Sequence, residues 1–411
     1  MTAPGYVALL GGAAVPELAT ALARRGLRGA LFTFEERLAG RAADGVLDVL
    51  EPVDFRRPLA VLRRVAELHQ TLRFRGIVGV GEYGLLPAAL AAERFGLPGP
   101  SSRAVIDTRE KGRMRRLLAE QGLGQVRYRE CRSAEDVAAF QSALGRAVIV
   151  KPASGTGSAG VSRIDSEAEA EAAYGLAAGA AEGAAVLCEE FVDGPEVSVE
   201  AVTIHGVFHG IALTDKRTDA NYLETGHDQP SSTPTAVREQ AFALAARVTA
   251  ALGLRHGVSH TEMRLTANGP VLIETHTRMG GDRIPVLTHR TTGVDLAHVM
   301  VGLAVGESPA LRPAATGRAA SIRFLVGQAG RVTSVSVPED RPDGIEEFEM
   351  AAKPGDVVSG RSSSLDRLGH VLATGSSTAE SARIADAFLA RMQVNYGDSR
   401  GEASWHSRAA S

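Results

Sequence analysis

Lysines are scarce in this chain, and three of them stand where phosphate chemistry would need them. Of 45 basic residues only Lys111, Lys151, Lys216 and Lys353 are lysines. An ammonium is a compact charge on a flexible stem that follows a phosphate oxygen, whereas a guanidinium is a rigid planar fork. Lys111 lies in TREKGRMR, Lys151 in VIVKPASGTGSAG and Lys216 in ALTDKRTDANYLETGH. The loop behind Lys151 carries Ser154, Gly155, Gly157, Ser158 and Gly160. Small residues after a strand let successive backbone N–H groups wrap polyphosphate oxygens. The GxxxxGK[ST] order of a P-loop is missing, so no such reading applies.

Glu262 in GVSHTEMRLT and Glu274 in PVLIETHTR form the second element of chemistry. Both stretches read as strands joined by a tight turn. A three-residue loop over 267–269 sets Glu262 opposite Glu274. A two-residue Asn268-Gly269 loop sets it opposite Thr275, on the other face. A shared site therefore requires the odd loop or a bulge. Two carboxylates on one buried face repel unless a cation joins them, and Mg²⁺ bridging phosphate oxygens is such a cation. His276 and Arg278 continue the Glu274 face at two-residue intervals. His256 and His260 stand four apart, a helical spacing in a segment that reads as strand, so no zinc site is expected.

These groups need a scaffold. Residues 5–98 alternate short apolar runs (YVALLGG, ALFTFEE, DVLEPVDF, GIVGVGEY) with helical stretches (PELATALARRG, about 58–70, LLPAALAAERFG), the grammar of an open parallel sheet. The Gly11-Gly12 pair lacks the dinucleotide fingerprint. A helix is expected over 107–122, strands at 148–152, 186–192 and 198–216 (a hairpin turning near His205-Gly206), and helices at 235–253 and 294–306. Ser133 and Ser166 begin capping-box patterns. A composition change near 308–318 suggests a boundary. Strands at 320–326 and 331–337, a polar loop and a helix over about 378–392 follow it. The expected division is 1–100, 101–188, 189–312 and 313–396, with a disordered tail at 397–411.

Bulk properties narrow the class. The chain has 411 residues, is 44% apolar and only 5% aromatic, and carries a net charge of -3. That length supports several cores. No basic block suggests nucleic acid, and no polybasic or long apolar stretch suggests a membrane. Cys131 and Cys188 belong to no CxxC pattern and fit a reducing compartment. A cytoplasmic protein, with a homodimer as the commonest assembly, is the expectation.

The ordered set resembles the ATP-grasp ligases, over nearly all of residues 1–395. It comprises a helix lysine, a strand lysine with a small-residue loop, an acidic hinge, and paired strand acids with an arginine. The resemblance implies an α/β fold: an N-terminal open parallel domain, a two-part ATP-grasp fold and a C-terminal α+β portion. It implies ATP held by Lys111, Lys151, the 154–160 lid, the hinge Glu189, Phe191 and Val192, and the ribose acceptor Glu196, with Lys216 counted in the same set. Glu262, Glu274 and His276 are implied as the metal set, the two glutamates as Mg²⁺ ligands and His276 either ligating the metal or orienting phosphate, with Arg278 at the transferred phosphate. Gly280 and Gly281 would bring backbone N–H groups to an oxyanion. Where the family often has Asn-Pro-Arg, this chain has His276-Thr277-Arg278, and imidazole suits magnesium less well than an amide oxygen. RMGGD (278–282), ETGH (224–227) and Pro230 resemble the L-amino-acid ligases that make dipeptides. The small-molecule substrates implied are an amino acid or small carboxylate and an amine. Formate- and bicarbonate-using members, and a non-catalytic ATP-binding regulator, are the alternatives.

Overall fold

The structure is a computed structural model and describes residues 5–38, 45–154, 159–181, 183, 185–219, 222–358, 360 and 364–397. The chain opens with β1 (Tyr6–Gly11), β2 (Arg28–Thr33), β3 (Leu47–Pro52) and β4 (Gly76–Val80). They form a sheet in the order β3-β2-β1-β4, with every pair parallel. Parallel strands need crossovers, and sequence punctuation supplies them: Pro16 and Pro58 start helices where a missing N–H costs nothing. Gly96, at φ 66°, ends Leu85–Phe95.

The expected helix over 107–122 is two helices, Ser102–Arg109 and Lys111–Glu120, broken by extended backbone at Glu110. The break places Lys111 in the first turn of its helix, where its amide donates to the Ala153 carbonyl at 3.1 Å. Next come β5 (Tyr128–Cys131), β6 (Val148–Pro152), β7 (Ser162–Ile164) and β8 (Val186–Glu190), an antiparallel sheet ordered β5-β8-β6-β7. β5 and β7 are too short for a periodic signal and were not expected. Ser133 caps Ala134–Leu144, and Ser166 and Glu169 complete a capping box.

The remaining strands are β9 (Glu196–Ile204), β10 (Val207–Thr218), β11 (Glu224–Gln229), β12 (Gly257–Thr266), β13 (Gly269–His276), β14 (Ala319–Val326), β15 (Gly330–Ser336), β16 (Ile345–Met350), β17 (Val357–Val358), β18 (Arg367–Gly375) and β19 (Gln393–Gly397). Eight of them form one sheet, β13-β12-β9-β10-β11-β14-β18-β16. The composition change near 308–318 therefore does not start a separate sheet, because β14 pairs with β11. Only β17-β15-β19 stand apart. β19 occupies 393–397, so the expected disordered tail begins inside a strand, and residues 398–411 lie outside the described residues.

One apolar core ties the N-terminal sheet to the large one. Val7, Leu9 and Val80 pack with Val202, Val258, Met279 and the helix Leu296–Ala304. This shared core fixes the end of β4 against the large sheet. The loop after β4 approaches its neighbours backbone to backbone. A Cβ on Gly84 would lie 1.7 Å from the Leu10 carbonyl oxygen. Gly84→Ala should therefore destabilise the fold by about 2 kcal/mol, as overpacking does. Denaturant unfolding checks this, and an unchanged midpoint would mean the loop moves aside freely.

Candidate active site

A cavity of about 460 Å³ opens where the three main sheets meet. Gly79–Glu82 line it from the end of β4, Lys151 and the Glu189–Val192 hinge from the small sheet, and Lys216, Glu262 and Glu274 from the large one. Lys111, Ser154, Glu196, Arg278, Gly280 and Gly281 of the expected set line the same cavity. Residues scattered over more than 190 positions of sequence thus share one chamber.

Strand pairing explains how the carboxylates meet. Thr266 pairs with Gly269, so the turn is Ala267-Asn268, neither of the two loops considered from sequence. That register alone would place Glu262 opposite Ile273. A β-bulge between Glu262 and Met263 shifts it, and Glu262 faces Glu274. The bulge leaves carbonyls turned aside, and Arg115 collects them. Its Nη1 donates to Leu272 O at 2.9 Å and its Nη2 to Ile273 O at 2.8 Å. The same guanidinium holds Glu189 in a bidentate pair at 2.7 and 3.1 Å. Arg115 lies four residues after Lys111, on the same helix face.

Every buried cation here has an acid. Lys111 Nζ is 3.0 Å from Glu274 Oε2, and Lys151 Nζ is 2.7 Å from Glu189 Oε2. Lys216 meets Glu196, Glu224 and Glu262 at 2.8, 2.6 and 2.9 Å. Arg264 Nη2 reaches the other Glu196 oxygen at 2.6 Å. Burial resists charging on Lys111, but Glu274 outweighs it and raises the pKa. For Lys216 burial is likewise overcome, by three carboxylates, and the pKa stands well above normal. Lys151 goes the other way: burial lowers it, and Arg115 and Lys111 add repulsion that Glu189 does not fully cancel. Glu262 and Glu274 are held well below the usual carboxylate range against strong burial, by Lys216 and Lys111 respectively.

Some expectations need correction. His276 is not among the residues that line the cavity. Its Nε2 lies 3.1 Å from Glu274 Oε1 and its Nδ1 3.4 Å from Glu82 Oε1, and the ring sits behind the wall rather than on it. The amide of Phe191 donates to Ala147 O, so this hinge residue offers its ring, which packs near Tyr222 and under Arg163. Gly280 is small for a packing reason: a Cβ there would lie 2.8 Å from His260 Nδ1. Gly160 is described but does not line the cavity, and Gly155, Gly157 and Ser158 lie outside the described residues. Among the described residues the one triad with metal-ligand spacing is Glu224, His227 and Asp282. Arg367 already bridges it, donating to Asp282 Oδ1 at 2.7 Å and Glu224 Oε2 at 2.8 Å, so cation charge is present there without a metal.

Three segments match family models: residues 21–99 the ATP-grasp N-terminal domain, 144–286 the ATP-grasp domain and 323–397 the L-amino acid ligase C-terminal domain 2. The chain belongs to the ATP-grasp superfamily. An uncharacterized protein, y4rH, of Sinorhizobium fredii is 27% identical over 76% of this chain and 66% of its own length. The alanine–anticapsin ligase of Bacillus subtilis is 25% identical over 59% of this chain and 56% of its own. The chain thus spans between half and two thirds of these relatives. The crystal structure of an L-amino acid ligase from Bacillus licheniformis superposes with a TM-score of 0.83 at 20% identity, covering 97% of this chain and 100% of that one.

Glu82, Arg115, Glu200 and Arg264 carried no site role in the sequence, Glu224 and Asp282 stood there only inside the ETGH and RMGGD motifs, and His260 only in the rejected zinc spacing. The strand period gives a signal for His260, which stands two residues from Glu262 and so on its face. Nothing local marks Glu82, which the shared core alone brings to Arg278 at 2.8 Å. No helix among the described residues is long and apolar enough to cross a membrane.

Glu189 gives a test of this charge arrangement. Burial would raise its pKa, but Arg115 and Lys151 hold it at about 2 against an ordinary 4.5. A folded-state pKa below the unfolded one adds stability above pH 4.5 that is lost as pH falls from there toward 2, worth about 3 kcal/mol. Glu189→Gln should be less stable than the parent at pH 7, because two buried cations lose their acid. Its stability should then fall less steeply between pH 5 and 2. Denaturant titrations across that range decide it, and parallel curves for the two proteins would contradict the assignment.

Proposed function

We propose that this chain is an ATP-dependent ligase that joins a carboxylic acid to an amine through an acyl phosphate. The observation that carries the reading is one cavity wall on which Glu262 faces Glu274 beside Lys111, Lys151, Lys216 and Arg278. Two opposed, partly buried, ionised carboxylates form an all-oxygen donor set that fits Mg²⁺. When bound, that ion neutralises charge across the β- and γ-phosphates. Lys111 and Lys151 lie within reach of the same phosphates. The Glu189–Val192 hinge and the Phe191 ring frame the adenine, and Glu196 takes the ribose hydroxyls.

A substrate carboxylate oxygen attacks the γ-phosphorus and ADP departs. The amine then attacks the acyl carbon, phosphate leaves with the acyl oxygen, and the ammonium proton is lost. Among the described residues Arg278 Nη2 has no protein acceptor, while Nε is fixed on Glu82 and Nη1 on Met279 O. That nitrogen is available for the transferred phosphoryl group, whose charge is spread over three oxygens. No protein nucleophile is needed. Cys131 and Cys188 are buried in the core of the small sheet, away from the cavity.

The acid in this reading is an amino acid; Glu82, Glu224 and Asp282 line the chamber but are already paired with Arg278, Lys216 and Arg367, so they do not by themselves select its ammonium. The likeness to the alanine–anticapsin ligase supports an amino acid in this role and a dipeptide-like product. ADP release against all pairs of amino acids, with mass spectrometry of the products, tests the function. ADP formation that no acid stimulates would refute it. Removal of Mg²⁺ by chelation should abolish turnover, and its return should restore it. Arg278→Ala should lower kcat about 100-fold, a loss of roughly 3 kcal/mol in the transition state, while ATP affinity changes little. Arg278→Lys should recover part of that rate. Near-normal amide formation by the alanine variant would remove Arg278 from the chemistry.

A further inference from the structure

Both candidate metal carboxylates are gripped from the side by a histidine of the same sheet face. His260 pairs with Glu200 across β12–β9 and with His276 across β12–β13, while Glu262 occupies the next inward-facing position. His260 Nε2 is 3.0 Å from Glu262 Oε1, and His260 Nδ1 is 2.8 Å from Glu200 Oε1. Glu200 is fully buried, and the same oxygen accepts from Ser198 Oγ at 2.9 Å. The arrangement repeats on Glu274, whose Oε1 lies 3.1 Å from His276 Nε2, with Glu82 behind that ring at a looser 3.4 Å. Gly280 is the residue that makes room for the first pair, since a Cβ there would meet both His260 and Glu200.

A fully buried carboxylate whose accepted hydrogen bonds come from a serine and an imidazole is costly unless it fixes something. Glu200 touches no part of the cavity. What it fixes is the plane of the His260 ring, and through that ring one oxygen of Glu262. Glu262 Oε1 is also the atom that meets Lys216 at 2.9 Å. Two donors on one oxygen set the rotation of the carboxylate and leave its other oxygen to the chamber.

We propose that His260, anchored by Glu200, is a positioning residue that orients Glu262 toward the metal of a metal–nucleotide complex. It does not coordinate the ion. This rests on Glu262 being a metal ligand, as in the proposed function. Outer partners of this kind are worth 10–100-fold in metal affinity.

The test measures ADP affinity by calorimetry with Mn²⁺ and with EDTA, so no acid, amine or amide product is involved. Failure to find an amide product would overturn the ligase reading and leave this result standing. Glu262→Gln should remove most of the Mn²⁺-dependent gain in ADP affinity. His260→Leu should weaken ADP binding about 10–100-fold with Mn²⁺ and leave the EDTA value unchanged. His260→Gln, whose amide nitrogen reaches about as far as Nε2, should restore much of the difference. A merely structural role would lower both affinities together and would gain nothing from glutamine. Should His260→Leu not fold, Gly280→Ala displaces the same ring, and the same selective loss is expected. A wild-type Mn²⁺ dependence in folded His260→Leu or Gly280→Ala, with the dependence lost in Glu262→Gln, overturns the positioning role alone. An intact dependence in Glu262→Gln overturns it together with the metal assignment.

Discussion

Two glutamates brought face to face inside a protein repel, and the surroundings of Glu262 and Glu274 answer that repulsion. The β-bulge that aligns them turns carbonyls out of the ladder, and Arg115 satisfies those carbonyls. Lys111 and Lys216 supply opposite charge from two different elements, and His260 and His276 hold one oxygen of each carboxylate. Desolvation would neutralise an isolated acid at these depths, yet both remain ionised because the cations are close and fixed. Most of the charged side chains around the chamber form a closed set whose members lose their reason once the pair is removed.

That dependence also explains the domain arrangement. The N-terminal sheet brings a single acid, Glu82, to the wall, and it reaches Arg278 and His276 only because β1 and β4 share a core with the helix Leu296–Ala304 and with β9 and β12. On the other side, the break at Glu110 separates two helices so that Lys111 stands at a helix start against Ala153. The C-terminal strands extend the large sheet, and through β18 they deliver Arg367 to Glu224 and Asp282. Four parts of the chain thus meet at or beside one cavity, and the large sheet with the loop after it supplies most of the charged side chains that line it.

Much of this was legible in the sequence. The N-terminal alternation, the β9–β10 hairpin with its turn at His205-Gly206 and the ordered lysine and glutamate motifs all carry strong local signals, and each stands where its pattern placed it. The strands β5, β7, β11 and β16 to β19 were not expected; β5, β7 and β17 have only two to four residues, too few for a periodicity. The β12–β13 register was open because a bulge leaves no mark in composition. The partners of the His276 ring were open for a related reason. Strand parity put it on the right face, but which neighbour its ring meets depends on Glu82, nearly 200 positions away. Arg115 and Glu200 were missed because their importance lies in groups they satisfy rather than in any motif.

In the proposed reaction this wall transfers the γ-phosphoryl group of ATP to a carboxylate. Oxygen tracing tests it most directly. An acid that stimulates ADP release is supplied with ¹⁸O in its carboxylate, together with its amine partner, and the released phosphate is examined by mass spectrometry. An acyl phosphate carries one carboxylate oxygen away on phosphorus, so the account predicts one ¹⁸O in phosphate for each amide formed. Unlabelled phosphate accompanying labelled amide would contradict it.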